Sequence, residues 1–132
     1  AYEKTKEKGI NVCVHVIFGL WETHDEIMQT AQKLAELEVD GVKIHMLCAL
    51  KDTKLASIYD RGEIDFMSEE DYVNTVCDFL EYLPQKTTIH RLAGNGLKKN
   101  LIAPRWLGAK LDCLNKIDRE LLRRNSYQGI KS

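Results

Sequence analysis

The sequence predicts an α/β fold: a partial (βα) barrel with a helical C-terminal extension. Residues 12–17 alternate two sets of side chains and are rich in β-branched residues, as strands are. An amphipathic stripe over 27–35 and a second alternating run over 42–47 follow, which together make a βαβ unit. One face of each predicted strand is apolar and the other is mixed, and this asymmetry favours a barrel with a polar interior. An α+β sheet with a solvated outer face is the alternative.

The predicted elements before the second strand depend on turn and cap signals. Residues 1–8 have the pattern of a helix end that closes at Gly9, so we expect further structure upstream, with a start inside a loop as the alternative. Gly19 ends the first strand. Thr23 and Glu26 have the spacing of a capping box, which predicts the start of the first long helix.

Downstream of the second strand the chain is predicted to be mostly helical. Immediately before the second strand, Gly41 is expected to form a tight helix-to-strand link with a backbone conformation that favours glycine. The remaining predicted elements are a short helix over 52–60, a longer helix from Ser68 to near Pro84, a third strand over 87–92 closed by 94–96, and a last helix from Pro104. We assign residues 1–94 to the barrel part and residues 95–132 to the helical extension.

Composition and cysteine spacing exclude several classes of protein. The formal net charge of −1 makes no general case for binding nucleic acid or membrane. No apolar run approaches the roughly 20 residues of a spanning helix, and no signal peptide is visible, so we expect no membrane partner. None of the four cysteines forms a C-x-x-C pair, which argues against a zinc site and a disulfide framework. Cys13 and Cys77 are expected to be buried free thiols, in a reducing, cytoplasmic compartment.

The mixed strand faces carry the candidate substrate-pocket residues. His15, Lys43 and His45 would point into the cavity of a complete barrel, where they could bind a polar substrate or move protons. His90 and Arg91 on the third strand are further candidates. The alternative is that these histidines are only hydrogen-bonded. Histidines on separate strands could also ligate a metal, but no carboxylate pattern supports one, so no metal site is predicted.

A second candidate surface is basic and lies in the C-terminal part of the chain. It could contact the RNA backbone, and solvated helix ends are the alternative. Its members are Lys98, Lys99, Arg105, Arg119, Arg123 and Arg124.

Several motifs together resemble the radical S-adenosylmethionine (radical SAM) enzymes. Residues 17–22, IFGLWE, are similar to the I-x-G-x-x-E part of a motif on the fifth barrel strand of that family. With this motif, five later segments resemble the C-terminal half of an uncharacterised bacterial group. That group is akin to the radical SAM part of the Elongator catalytic subunit and, more distantly, to oxygen-independent coproporphyrinogen oxidase. The segments are VDGVKIH at 39–45, KDTKLA at 51–56, IHR at 89–91, LIAP at 101–104 and YQG at 127–129.

The resemblance implies the last strands of a radical SAM TIM-like barrel and two cofactors for the full-length protein. The family holds a [4Fe–4S] cluster through a C-x₃-C-x₂-C motif in its N-terminal half, and the open iron binds S-adenosylmethionine. This chain has no such spacing. We therefore expect no cluster, no tight cofactor binding and no activity in the chain alone. The full protein would cleave S-adenosylmethionine and abstract hydrogen from an unknown substrate. The alternative is a non-catalytic module that binds RNA or a protein through the basic C-terminal helix.

Five residues are candidates for contact with the cofactor because of this resemblance. Ile17 would pack on the adenine, Gly19 would let the backbone turn closely, and Glu22 would brace the loop. His45 and Leu47, at the end of the next strand, would border the same ring. The family has G-L-P-G-E-T at this loop, whereas the chain has the shorter GLWET at 19–23. The alternative for Ile17 and Leu47 is ordinary barrel core.

The expected partners follow from the incomplete barrel. The resemblance implies the N-terminal half of the barrel as the natural partner. An open sheet edge and a half-apolar inner face attract other chains, so we expect a homodimer of the fragment. In the alternative, the C-terminal helix folds over that face through Trp106 and Leu111 and leaves a monomer.

Overall fold

A computed structural model describes residues 1–93 and 99–132 of the chain. In chain order its elements are α1 (Tyr2–Glu7), β1 (Cys13–Phe18), α2 (His24–Glu36), β2 (Gly41–Met46), β3 (Ala49–Leu50), α3 (Lys54–Asp60), α4 (Glu69–Tyr82), β4 (Thr88–Arg91), β5 (Leu101–Ala103), a 3-10 helix (Arg105–Gly108) and α5 (Lys110–Arg123). The predicted strand closure at 94–96, and with it the boundary after residue 94, lies outside the described residues.

The central sheet is parallel, with strand order β1-β2-β4. β1 and β2 pair in regular register from Cys13 opposite Gly41 to Phe18 opposite Met46. One face of the sheet, with Val42 and Ile44 fully buried, packs against α2 and α4, and α5 packs on α4 in turn. The prediction of an α/β fold with a parallel sheet and one apolar face is therefore confirmed.

The helix starts follow the predicted cap residues. The Thr23 hydroxyl accepts a hydrogen bond from the Glu26 N–H at 3.2 Å, and the Glu26 carboxylate accepts one from the Thr23 N–H at 3.4 Å, which completes the capping box. Ser68 caps α4 through the Asp71 N–H. These bonds satisfy amide groups that the first helical turn leaves without partners.

The link between α2 and β2 differs from the prediction. Glu38, and not Gly41, adopts the left-handed conformation, with φ of 53°. Gly41 lies inside β2, where a Cβ atom would fall 2.5 Å from Nε2 of His90. The expected left-handed turn at Gly41 is therefore wrong, and a side chain at this position would instead require the His90 ring to move. Asp40 joins this link to the rest of the chain by accepting a hydrogen bond from the Val12 N–H.

Three further features differ from the sequence-based expectations. A small antiparallel ladder of β3 and β5 was not predicted, and a 3-10 helix precedes α5 where one continuous helix from Pro104 was expected. Cys13 is exposed, because the edge strand β1 turns it away from the helices, so the prediction of a buried thiol is wrong for Cys13. It is right for Cys77, where burial raises the pKa of the thiol to about 12.

The last residues form a C-terminal strap, residues 126–131, that lies against the end of α4. The Gly129 N–H donates to the Leu80 carbonyl at 3.1 Å, and the Gln128 amide donates to the carbonyls of Pro84 and Thr87, both at 2.8 Å. The Lys131 N–H donates to the Glu81 carbonyl. The strap therefore adds hydrogen bonds to the carbonyls of the last turn of α4 and of the loop that follows it.

Candidate functional site

The sheet face opposite the helices, which we call the open face, carries the predicted site residues. Its members are Cys13, His15 and Ile17 of β1, Lys43 and His45 of β2, and Thr88, His90 and Arg91 of β4. All eight are exposed or half-buried. Alternation along the strands predicted this face, because successive side chains of a strand point to opposite sides.

Two histidines of the open face are in direct contact. His45 Nε2 lies 3.1 Å from His15 Nδ1, and the rings stack with centroids 5.1 Å apart and planes 20° apart. One of these nitrogens donates the hydrogen bond and the other accepts it, and the tautomers of the two rings decide which is the donor. Partial burial lowers the pKa of His45, and the positive charges of Arg91, His15 and Lys43 lower it further.

A bulge in β4 adds Arg91 to this group. Val42 lies opposite Ile89 and Lys43 lies opposite Arg91, so His90 is one extra residue in the ladder. The His90 ring lies over Gly41, on the open face, and the charge of Arg91 reaches His45 from the same side. Because a bulge places two residues against one, it displays two consecutive basic side chains where a regular strand would display one.

The resulting row of residues is basic and crosses all three strands. His15, Lys43 and Arg91 are register partners at one level of the sheet, and Ile17 and His45 lie one step closer to the carboxyl ends. In the described residues no carboxylate forms a salt bridge with Lys43 or Arg91. Over residues 1–93 and 99–132, no group of three His, Cys, Asp or Glu side chains is arranged to hold a metal ion.

The loop after β1 brings the predicted cofactor residues together. Gly19 has φ of 105°, and its N–H donates to a Glu22 carboxylate oxygen at 2.6 Å, so Glu22 closes the short loop. A Cβ atom on Gly19 would lie 3.2 Å from Leu47 Cβ, which shows how closely the two strand ends approach. Ile17, 47% exposed, borders this loop on the open face. The second oxygen of Glu22 is buried with no hydrogen-bond partner among the described residues.

This arrangement has two chemical capacities. The exposed Ile17 side chain and the closely approaching backbone at Gly19 form an apolar surface beside the carboxyl ends of two parallel strands, which suits a flat ring. The basic row beneath it suits an anion, and the His15–His45 pair offers a proton donor and acceptor. The individual cofactor and substrate roles of these residues stay predictions.

The predicted basic surface is partly engaged in ion pairs. Arg124 contacts Asp78 at 2.7 Å and Glu120 at 3.2 Å, and Arg123 contacts Glu120 at 2.6 Å. Lys98 lies outside the described residues. The sequence showed Arg124 only as a cation at a helix end, since its carboxylate partners on α4 are more than 40 positions away along the chain.

The C-terminal helix does not cover the open face. Trp106 donates a hydrogen bond to the Met67 carbonyl at 2.9 Å and its ring packs on Tyr72, while Leu111 is 71% exposed. The covering arrangement considered from the sequence is therefore wrong. We also note that no described helix is long and apolar enough to cross a membrane.

Parallel strands linked by helices, with one helix-covered face and one polar face, define an α/β protein. Comparison with known families makes this specific: the family profile described as the Radical_SAM C-terminal domain matches residues 39–123. The chain belongs to this family. The resemblance inferred from the sequence motifs is confirmed.

Curated relatives and a solved structure agree with this assignment. The chain is 43% identical to the uncharacterized protein YtqA of Bacillus subtilis, over 96% of the chain and 39% of the relative. It is 38% identical to the uncharacterized protein MJ0486 of Methanocaldococcus jannaschii, over 99% of the chain and 41% of the relative. A biotin synthase of Clostridium perfringens is 32% identical over 74% of the chain and 28% of that enzyme. The chain thus spans about two fifths of the length of the first two relatives.

The fold is shared with archaeal Elp3. The structure of Methanocaldococcus infernus Elp3 with an N-terminal deletion superposes with a TM-score of 0.75 at 15% identity, over 93% of this chain and 29% of that one. At that identity the similarity concerns the fold alone. The shared fold agrees with the predicted α/β architecture.

Proposed function

We propose that this chain is the C-terminal part of the catalytic barrel of a radical SAM enzyme. The observation that carries the proposal is that Ile17, Gly19, Glu22 and Leu47 meet at the carboxyl ends of β1 and β2, in a member of this family. Ligands of βα barrels bind at this end of the strands. In the full protein, a [4Fe–4S] cluster with S-adenosylmethionine would supply reductive cleavage and hydrogen abstraction from a substrate.

The residues present fit the adenine end of S-adenosylmethionine and not the cluster. Ile17 offers an exposed apolar side chain, and the Gly19 backbone can approach a ring because no Cβ intervenes. Glu22 holds the loop by its bond to the Gly19 N–H. The four cysteines, by contrast, lie at 13, 48, 77 and 113, and the described residues bring no three of them together. Cluster ligands would therefore have to come from another part of the protein.

The open-face residues would act on the substrate side. His15, Lys43, His90 and Arg91 lie below the apolar surface, and the His15–His45 hydrogen bond gives one route for holding or moving a proton. His45 would border both the cofactor and the substrate, because it lies in the same row as Ile17 and contacts His15.

The test uses a protein that carries this chain behind an upstream C-x₃-C-x₂-C segment. After anaerobic reconstitution we expect the [4Fe–4S] absorption band and cleavage of S-adenosylmethionine under a chemical reductant. Ile17→Ala should weaken cofactor binding by about fivefold to tenfold, as loss of a packed aliphatic side chain does, with an unchanged cluster band. Ile10→Ala is the matched control, since Ile10 is 52% exposed before β1. A reconstituted cluster without any cofactor cleavage would contradict the proposal.

The 132-residue chain alone gives the complementary test. Calorimetry should show no submicromolar binding of S-adenosylmethionine, because adenine packing on a few apolar atoms does not outweigh the cost of association. Anaerobic reconstitution of this chain should give no stoichiometric cluster band. Tight binding or a full cluster in the isolated chain would show that its own residues suffice.

We also propose two partners for the exposed sheet. Both outer strands, β1 and β4, leave an edge without a described neighbour, and such edges recruit further strands. The N-terminal barrel strands would pair there in the full protein, and a second copy would do so in the isolated chain. Light scattering of the isolated chain should give a mass that rises with concentration from 15.2 kDa toward twice that value. A constant monomer mass would contradict the dimer.

A further inference from the structure

The charge balance of the open face points to a ligand. Lys43 and Arg91 are half-buried side chains with no salt-bridge partner in the described residues, and His15, His45 and His90 add further basic groups beside them. The charges that reach His45 come from Arg91, His15 and Lys43, and no carboxylate is among them. Like charges repel when gathered on one face, so this grouping is unfavourable without an anion.

In the helical layer of the same molecule, a half-buried arginine is paired with carboxylates, as such arginines usually are. Arg124 has salt bridges to Asp78, Glu81 and Glu120. Arg91, also half-buried, has none among the described residues. Because partly desolvated cations are normally paired, the difference marks Arg91 and Lys43 as groups whose partner is not a described side chain.

The backbone supports a positioned site and not a random cluster. The bulge at His90 shifts the ladder so that Arg91 lies opposite Lys43, which itself lies opposite His15. The three residues form one row across three strands. Strands are rigid supports that lie about 4.8 Å apart, so adjacent members of the row can contact different oxygens of one oxyanion.

We propose that the open face binds an oxyanion of the substrate, a phosphate or a carboxylate, through Lys43, Arg91 and the His15–His45 pair. The proposal rests on the proposed function, because it names the substrate class of the same barrel interior. The row of Ile17 and His45 lies about 7 Å closer to the carboxyl ends, two residues along the strand. The anion therefore lies below the ring-binding surface and belongs to the substrate, not to the adenine end of the cofactor.

The experiment follows the histidine ring protons of this chain by NMR during titration with inorganic phosphate. Parallel titrations use succinate, to distinguish phosphate from carboxylate, and chloride at equal ionic strength. We expect saturable shifts for His15 and His45 with phosphate or succinate and none with chloride. His24 is the internal control, since it lies at the start of α2 and contacts Asp78 at 2.8 Å. Equal shifts of His24 would indicate a non-specific effect and overturn the proposal.

Variants localise the binding. Lys43→Gln and Arg91→Gln should each weaken the binding constant about fivefold to tenfold, since each removes one charge-assisted hydrogen bond at a half-exposed site. Lys33→Gln and Arg61→Gln remove the same charges at exposed positions paired with Glu36 and Glu63, and should leave binding unchanged. Thermal unfolding curves confirm that each variant is folded. No saturation by phosphate or succinate, or equal binding by all four variants, would contradict the proposal.

The experiments distinguish failure of anion binding on the open face from failure of the proposed radical SAM function. The titrations require neither the cluster nor S-adenosylmethionine. Cofactor cleavage in the longer protein without anion binding on the open face would mean a substrate of other chemistry. Anion binding without any cofactor cleavage would instead leave the open face as a binding site and reject the enzyme.

Discussion

Charge is arranged differently in the helical layer and on the open face of the sheet. In the helical layer Arg124 lies among Asp78, Glu81 and Glu120, and its side chain is 19% exposed. On the open face Lys43 and Arg91 have no carboxylate partner among the described residues. The Arg124 charge is therefore neutralised by carboxylates of the helical layer, whereas no described carboxylate neutralises Lys43 or Arg91 on the open face. Stability is expected to depend on the first region and binding on the second.

The largest expected effect compares isoleucines on the two faces of the sheet. Ile44 is fully buried in the central strand, and Ile44→Ala should lower the free energy of unfolding by about 2–5 kcal/mol because it leaves a cavity. Ile17→Ala on the open face should change it by no more than about 0.5 kcal/mol. Urea unfolding followed by circular dichroism measures both. Equal losses would show that the open face is packed.

The second comparison concerns the two half-buried arginines. Arg124→Gln leaves Glu81, 7% exposed in its side chain, with less compensation and should cost about 2 kcal/mol, a value reduced for partial solvent screening. Arg91→Gln should be neutral or slightly stabilising, because it relieves repulsion from Lys43 and His45. A marked loss of stability in Arg91→Gln would reveal an acidic partner of Arg91.

Two glycines, Gly129 in the C-terminal strap and Gly41 in the sheet, are expected to differ in how much the free energy of unfolding depends on them. Gly129 has φ of 87°, and a Cβ there would meet the Leu83 carbonyl oxygen at 3.1 Å, so Gly129→Ala should cost about 1–2 kcal/mol and loosen the C-terminal strap. At Gly41 a new Cβ meets the His90 ring, which can rotate away on the open face, so Gly41→Ala should cost less than about 1 kcal/mol. Gly62→Ala, with φ of 72° and open space, isolates the backbone cost. A larger loss for Gly41→Ala than for Gly129→Ala would contradict this ranking.

The smallest expected effect is the pH dependence of stability from His45. Its pKa in the folded chain is lowered below 6.5, by desolvation and by the charges of Arg91, His15 and Lys43. As the pH falls through 6.5, the unfolded chain therefore gains a proton before the folded chain does, and stability is lost until the folded pKa is passed. The urea midpoint should fall more between pH 7.5 and pH 5.5 in the native chain than in His45→Gln. Parallel pH dependence would exclude His45 as the source.

Local signals in the sequence predicted those parts that local physics determines. Thr23 and Ser68 form caps with groups three positions away, and Val42 and Ile44 alternate with Lys43 because a strand has a period of two. The same alternation placed His15 and Lys43 on one face, where the structure has them. The site could be predicted to this extent, since it depends on few elements.

Features that depend on pairing between distant segments could not be predicted. The ladder of β3 and β5 needs the Lys51 N–H to meet the Asn100 carbonyl, 49 positions along the chain, and its short strands carry no periodic pattern. The bulge at His90 is visible only in the register with β2. Local signals predict a left-handed turn at Gly41, whereas its actual constraint, the His90 ring, comes from the same pairing of β2 with β4. Long-range geometry decided each of these outcomes.

The C-terminal strap has a consequence for the order in which the protein is made. A ribosome adds residues from the amino terminus, so α4 emerges well before the residues that complete its end. The Gln128 amide reaches back 44 positions to the Pro84 carbonyl, and the Gly129 and Lys131 N–H groups reach the carbonyls of Leu80 and Glu81. Until residues 126–131 leave the exit tunnel, the end of α4 lacks these hydrogen bonds. The helical layer therefore acquires its final form after synthesis has passed the strap, and a ribosome stalled before that point carries a chain with an unfinished α4.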